Sequence, residues 1–99
     1  MYIGQVTGLS VIMAFVYILQ SQVNFRYYIG STTNLERRIN EHNNGQSKYT
    51  SLTKPFKLVF SQEFKNIQLA KKIESKLKRF KSRQIIDRIV KDKVIKTGA

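Results

Sequence analysis

Two short apolar segments near the N-terminus constrain the fold of this chain most. Residues 14–19 and 25–30 are rich in β-branched and aromatic side chains, and mostly polar residues separate them. Two such segments across a short polar connection predict a β-hairpin. A turn centred between Gln22 and Val23 would place Tyr17 opposite Tyr28 on one face of the ribbon, with their Cβ atoms about 5 Å apart.

A first helix is predicted directly after the hairpin. Thr33 and Glu36 have the spacing of a capping box, which opens a helix. Arg38 and His42 are four residues apart, so they should share one side of this helix, beside its apolar stripe. The polar residues 43–45, which include a glycine, should end it.

The second half of the chain predicts one strand and two helices. Alternation over residues 56–64 indicates a strand with Phe56, Leu58 and Phe60 on one face. Asn66 is a candidate cap for a basic amphipathic helix, and Ser82 is a candidate cap for a shorter last helix. Residues 91–99 have the composition of a frayed basic tail.

Glu74 is the residue that breaks the pattern of the basic helix. It lies on the apolar stripe, four residues after Ala70 and three before Leu77, where an apolar side chain is expected. A partly buried carboxylate requires a cationic partner or a metal ion, because burying it alone costs several kcal/mol, roughly. An ion pair with a neighbouring lysine or arginine and a metal site are both compatible with the helix pattern.

The charge balance points to a polyanionic partner. Eighteen lysines and arginines against six acidic residues give a net charge of +12, and twelve of the eighteen lie from Lys65 onward. Such a chain favours nucleic acid. Candidate contacts on the basic helix are Lys71, Lys72, Lys78 and Lys81.

The absence of cysteine excludes thiolate chemistry, and a single histidine excludes a zinc site with several imidazoles.

The uncharged N-terminus raises the question of a membrane or export segment. The apolar run over residues 9–19 is shorter than the roughly 20 residues of a membrane span. No lysine or arginine precedes it, unlike in a signal peptide. We therefore expect a cytoplasmic monomer without a membrane partner.

Five spaced positions together resemble the GIY-YIG nuclease family, in particular its small single-domain bacterial branch. Tyr17 ends the segment FVY, Tyr28 begins the segment YIG, and Arg38, His42 and Glu74 follow at the family's intervals. The similarity covers about residues 14–90. The elements read along the chain give the order ββαβαα, and the resemblance implies an α+β domain with a three-stranded antiparallel sheet flanked by helices. The nuclease domain would span residues 14–92, between an N-terminal extension (1–13) and a basic tail (93–99).

The resemblance also implies a reaction and a site. Glu74 would hold one divalent ion, Mg²⁺ or Mn²⁺, and the protein would hydrolyse phosphodiester bonds in DNA. Arg38 would hold the phosphate, and Gly30 would serve the backbone at a turn or strand end. Either Tyr17, with Tyr28 orienting it or the water, or His42 would be the general base.

The family pattern is not complete in this chain. The glycine and isoleucine of the first half-motif are replaced by Phe15 and Val16, and a late polar residue found in many members has no clear match. Each site residue also has an ordinary structural explanation, such as sheet packing for the tyrosines. The alternative functions are a non-catalytic nucleic-acid-binding module and, less well matched, a basic structural or ribosome-associated protein.

Overall fold

The structure, a computed structural model, describes residues 12–44, 53–80 and 82–95. The elements are β1 (Ala14–Ser21), β2 (Tyr27–Thr32), α1 (Leu35–Asn43), β3 (Phe56–Phe64), α2 (Ile67–Phe80) and α3 (Arg83–Asp92). The strands form one antiparallel sheet in the order β2-β1-β3. The α+β class and the order ββαβαα are confirmed. Within the described residues, no helix is long and apolar enough to cross a membrane.

Strand β1 is almost entirely apolar because it is the central strand and helices cover both faces of the sheet. One cluster of buried side chains lies between the sheet and helices α2 and α3, and a smaller one lies on the face covered by α1. The buried members of the first are Ala14, Val16, Ile18, Phe60, Ala70, Ile73, Leu77, Ile86 and Ile89; those of the second are Tyr17, Leu19 and Phe56.

The hairpin register differs from the prediction. Tyr17 pairs with Gly30, and Tyr28 pairs with Leu19, so the direct opposition of the two tyrosines was wrong. The cause is a turn centred one residue later than predicted, between Val23 and Asn24, which the Ser21 backbone N–H closes by donating to the Arg26 carbonyl at 3.0 Å. The two tyrosines still share a face, because Gly30, the partner of Tyr17, is two residues from Tyr28 on the same strand.

A β-bulge divides strand β3. Ile18 pairs with Phe60 but Leu19 pairs with Leu58, which leaves Val59 as the extra residue. The predicted alternation along the whole of β3 was therefore wrong. The apolar side chains before and after the bulge point to opposite faces of the sheet, so Phe56 and Phe60 belong to different clusters.

Helix boundaries follow side-chain caps. Asn66 and Ser82 act as predicted, since each accepts from the backbone N–H three residues later, at 2.8 and 3.4 Å. The predicted Thr33 cap was wrong by one residue. Asn34 is the cap of α1, and its side chain accepts from Arg37 N at 3.0 Å. Asparagine is one of the strongest capping residues.

The C-terminal segment is more ordered than predicted. Residues 91–92 belong to α3, and Lys93 caps that helix in the left-handed conformation, with φ 61°. The Lys93 ammonium and the Ile95 N–H donate to β3 at 3.2 and 3.4 Å, and Ile95 packs against the larger cluster. The prediction of a frayed tail was therefore wrong for residues 91–95. Residues 1–11, 45–52, 81 and 96–99 lie outside the described part.

Candidate functional site

A groove follows the open edge of strand β2 and draws residues from both faces of the sheet. We call it the edge groove. Its volume of about 690 Å³ is in the range of ligand-binding clefts. Its polar and charged lining consists of Tyr17, Arg26, Tyr27, Tyr28, Ser31, Arg38, His42, Lys71, Glu74, Lys78, Ser82 and Arg83. The predicted catalytic residues, which are far apart in the chain, all line this one groove.

Gly30 lies inside strand β2, not at a turn as predicted. A Cβ atom at this position would overlap with the hydroxyl group and the ring of Tyr17. The missing side chain therefore lets the Tyr17 ring pass over β2. Any side chain larger than hydrogen at position 30 would therefore displace Tyr17 from the strand that borders the groove.

Tyr17 links Arg38 and His42 through its hydroxyl oxygen. Arg38 Nε donates to that oxygen at 3.3 Å, and the oxygen lies 3.2 Å from His42 Nε2. Arginine is always a donor, so the phenol oxygen accepts from Arg38. When the neutral imidazole carries its proton on Nδ1, the phenol donates its own proton to His42 Nε2; with the proton on Nε2, the imidazole donates to the phenol instead. A second donor group of Arg38, Nη1, contacts Glu41 Oε1 at 2.9 Å and fixes the guanidinium.

His42 is buried, with 5% of its surface exposed. Its ring packs edge-on against Tyr17 and Phe56, with centroid distances of 6.0 and 5.9 Å. Burial lowers the pKa of His42 below its usual 6.5, the charge of Arg38 lowers it further, and Glu41 opposes these effects in part. The imidazole is therefore neutral at pH 7 and can accept a proton.

Tyr28 lines the groove on the same face of the sheet, but its described contacts are with other residues than Tyr17. Its hydroxyl lies 3.4 Å from Thr53 Oγ1. Its ring meets Phe56 edge-on, at a centroid distance of 5.2 Å. These contacts hold the ring at the groove wall. They give no direct support to the prediction that Tyr28 orients Tyr17.

Glu74 enters the groove from helix α2, on the other face of the sheet. Its Oε1 accepts from Ser31 Oγ at 2.5 Å, and its Oε2 lies 2.7 Å from Lys78 Nζ. The ion pair that the helix pattern left open is therefore present. The Ser31 contact was not predicted. Since Ser31 follows Gly30 in an extended strand, its side chain must point to the opposite face, which is the signal that could have indicated it.

The surroundings of Glu74 fit a weakly held divalent cation. Among the described residues, no group of three or more histidine, cysteine or acidic side chains is placed to hold a metal ion. A single carboxylate still suits Mg²⁺, which keeps several waters and takes substrate phosphate as a ligand. The carboxylate already attracts one cation, the ammonium of Lys78, whose side chain is 55% exposed and flexible enough to move aside. Glu74 therefore has one oxygen, Oε2, that a cation approaches, while Ser31 holds Oε1.

The basic residues of α2 divide into two groups. Lys71 and Lys78 line the groove, whereas Lys72 is exposed and outside the lining. Lys81 lies outside the described residues. Two arginines that the sequence did not single out for binding, Arg26 and Arg83, also line the groove. The positive charge at the groove therefore comes from the β1–β2 loop and α3 as well as from α2.

Comparisons with known proteins agree with this geometry. A family model of the GIY-YIG catalytic domain matches residues 13–85. A UPF0213 protein of Streptococcus pneumoniae is 40% identical over 72 residues, which is 72% of each chain. Another, from Clostridium perfringens, is 39% identical over 85 residues, covering 85% of this chain and 89% of that protein.

A solved structure is also similar. The solution NMR structure of a UPF0213 protein from Bacillus halodurans is 34% identical, with a TM-score of 0.53, and the match covers 82% of this chain and 85% of that chain. The sequence match and the sheet order thus agree. This chain therefore belongs to the GIY-YIG family, a nuclease family that acts on nucleic acid and generally uses divalent metal ions.

Proposed function

We propose that this protein is a divalent-metal-dependent endonuclease that hydrolyses phosphodiester bonds in DNA. The observation that carries the proposal is the hydrogen-bonded chain Arg38–Tyr17–His42, which shares one groove with the Glu74 carboxylate. The active unit would be a cytoplasmic monomer, with residues 14–92 as its catalytic domain, residues 1–13 as an extension and 93–99 as a basic tail.

Arg38 would bind the scissile phosphate. A guanidinium has five N–H donors, and two of its nitrogens contact Tyr17 and Glu41. With its side chain 38% exposed at the groove, Arg38 can offer its other donors to phosphate oxygens. Its charge would stabilise the negative charge that develops on these oxygens in the transition state. The contacts to Tyr17 and Glu41 orient it before the substrate binds.

Tyr17 and His42 would act as one proton relay, which replaces the choice between them as separate bases. An attacking water would give its proton to the Tyr17 oxygen while the tyrosine proton passes to His42 Nε2. The water oxygen would form the new bond to phosphorus while the bond from phosphorus to the leaving sugar oxygen breaks, and a solvent water would protonate that oxygen. A phenol by itself is a poor proton acceptor at neutral pH. The neutral imidazole of His42, which contacts the Tyr17 hydroxyl, would therefore make the proton transfer favourable. Tyr28 would hold the water from the same face.

Glu74 would hold one divalent ion, Mg²⁺ or Mn²⁺. Bound there, the ion would supply Lewis-acid stabilisation to the phosphate oxygens. Ser31 would keep the carboxylate oriented, and Lys78 would have to move from Oε2. The protein groups at the site are then one carboxylate for the ion, one guanidinium for the phosphate and one relay for the proton.

The direct test is a cleavage assay with the full chain. Labelled single-stranded, duplex and branched DNA would be incubated with Mg²⁺, Mn²⁺ or EDTA, and an RNA strand would be included. We expect cleavage of at least one DNA form with metal and none with EDTA. A Glu74→Gln preparation controls for contaminating nucleases. Binding of all substrates without cleavage by the wild type in any metal would overturn the proposal.

The pH dependence of cleavage follows from His42. The relay needs neutral His42, and burial places its pKa below 6.5. The cleavage rate should be at its plateau near pH 7 and should fall as the pH decreases through that lowered pKa. The free energy of unfolding should also decrease as the pH falls below 6.5. The reason is that His42 takes up a proton more readily in the unfolded chain than in the folded protein. Rates measured from pH 5 to 8 would show this acid limb.

A His42→Gln variant is the control for the pH profile. Its cleavage rate at the plateau should be lower than that of the wild type. The decrease in rate at acid pH that is due to protonation of His42 should also disappear. Circular dichroism at each pH would separate loss of the fold from loss of the relay. An unchanged acid limb in a folded His42→Gln protein would contradict the assignment of the limb to this residue.

The second candidate is a non-catalytic nucleic-acid-binding module. The satisfied Glu74–Lys78 ion pair favours it, because that carboxylate has a cation without any metal. Such a module would bind with strong salt dependence. It gives no reason, however, for the buried relay between Tyr17 and His42. Metal-dependent cleavage separates the two candidates.

A further inference from the structure

The edge groove extends beyond the proposed catalytic residues to a second group of side chains. Arg26 is the last residue of the β1–β2 loop, Tyr27 begins β2, and Arg83 begins α3. All three line the groove. None of them takes part in the proposed relay or in the binding of the ion. We call this group the distal end of the groove.

Arg83 is held in place by several contacts. Its guanidinium carbon lies 4.6 Å from the centre of the Tyr27 ring, and Nη1 donates to the Phe25 carbonyl at 3.0 Å. Nε lies 3.8 Å from Asp87, and the same carboxylate accepts from the Tyr27 hydroxyl at 2.5 Å. The Arg83 side chain is nevertheless 53% exposed. A guanidinium fixed by stacking but open to solvent loses little conformational entropy when it binds a ligand.

The charges of the groove select the class of ligand. Five basic residues line it, and Glu74 is the acidic residue in its lining within the described part of the chain; the basic residues are Arg26, Arg38, Lys71, Lys78 and Arg83. Along α2, Lys71 and Lys78 are seven residues apart, which corresponds to roughly 10 Å at 1.5 Å per residue. One nucleic-acid strand carries a phosphate about every 3.4 Å of duplex axis. The row of cations is therefore long enough to follow a strand across several phosphates.

We propose that Arg83 binds a backbone phosphate of the nucleic acid that flanks the scissile phosphate, with Arg26 adding positive charge to the same groove. Tyr27 positions Arg83 by stacking beneath it and by holding Asp87. The subsite rests on the proposed function in so far as the scissile phosphate lies at Arg38. It makes the distal end a determinant of substrate affinity and register, separate from the chemistry. The planar fork of Arg83 suits two oxygens of one phosphate.

The test measures binding with the full chain in EDTA, where the proposed cleavage cannot occur. Fluorescence anisotropy would follow labelled single-stranded and duplex DNA at several salt concentrations. Arg83→Gln should weaken binding about tenfold at low salt, as expected for a lost charge-assisted hydrogen bond. It should also reduce the slope of log K against log salt by about 0.7 for the single strand and about 0.9 for the duplex.

Matched variants separate binding from a structural role. Arg88→Gln removes the same charge from the same helix, but Arg88 lines a different, shallow hollow, so its slope should match the wild type. Arg83→Lys keeps the charge and loses the fork, so it should retain most of the slope even if affinity falls. Thermal unfolding of each variant would check the fold.

Two results would overturn the subsite. One is an Arg83→Gln protein with wild-type salt slope, which would make Arg83 only a clamp between α3 and β2. The other is an equal slope change in Arg88→Gln, which would reduce the effect to net charge. Failure of the proposed function is distinguishable, because a wild type that never cleaves can still show the Arg83 effect. Conversely, metal-dependent cleavage with unaltered Arg83→Gln binding would remove the subsite alone.

Discussion

Replacement of Glu74 by glutamine should lower the cleavage rate by at least about 10³-fold. Glutamine keeps the length of the side chain and an oxygen for Ser31, but it removes the charge that would hold the ion. A bound metal ion stabilises the transition state by roughly several kcal/mol, and each loss of about 1.4 kcal/mol lowers the rate tenfold. Single-turnover cleavage at saturating enzyme and metal, together with Mn²⁺ binding by calorimetry, would measure the effect.

Lys78→Gln is the matched control, because it breaks the same ion pair from the other side. It leaves the carboxylate intact and removes the ammonium that lies 2.7 Å from Glu74 Oε2. We expect this variant to keep metal-dependent cleavage in single turnover and to bind Mn²⁺ more tightly, since a competing cation is gone. If both variants lost activity equally and Mn²⁺ binding did not change, Glu74 would be an ion-pair partner and not a metal ligand.

Gly30→Ala should be damaging for an unusually small substitution. In most strand interiors, alanine in place of glycine is neutral or stabilising. Here the added Cβ would overlap with the Tyr17 ring and hydroxyl. We expect a loss of about 1–3 kcal/mol in the free energy of unfolding, as for an overpacked core. Displacement of Tyr17 should slow cleavage by about 10²-fold. Urea denaturation and single-turnover assays would give the two values.

A double-mutant cycle identifies the cause. In a Tyr17→Ala background the ring is absent, so Gly30→Ala should cost less than about 0.5 kcal/mol. The difference between the two backgrounds is the coupling energy between the residues. An equal cost in both backgrounds, or a stabilising Gly30→Ala in the wild type, would contradict the close approach of Tyr17 to Gly30.

Local signals accounted for most of the secondary structure. The caps Asn66 and Ser82 and the amphipathic period of α2 each depend on residues within about two helical turns, so they could be read from the chain. The position of Glu74 on the apolar stripe also predicted a part-buried carboxylate. The sheet arrangement was different, because it came from the resemblance and not from any local pattern.

The errors at the hairpin and in β3 have one physical origin. A pairing register depends on the exact length of a connection and on bulges, and one extra residue reverses the face of every later side chain. A turn centred one residue later than predicted moved the pairing partner of Tyr17 from Tyr28 to Gly30, and the bulge at Val59 divided the apolar residues of β3. Neither feature changes the period of the sequence enough to be recognised beforehand.

The sequence by itself determined the strands and helices, the basic charge and the family to which the chain belongs, because these depend on local periodicity and on motif spacing. Only the tertiary structure decided which groups meet at the edge of β2. Ser31 reaches Glu74 across 43 residues, and Tyr27 reaches Asp87 across 60. Such contacts depend on how α2 and α3 pack against the sheet, and that packing is set by the whole core together.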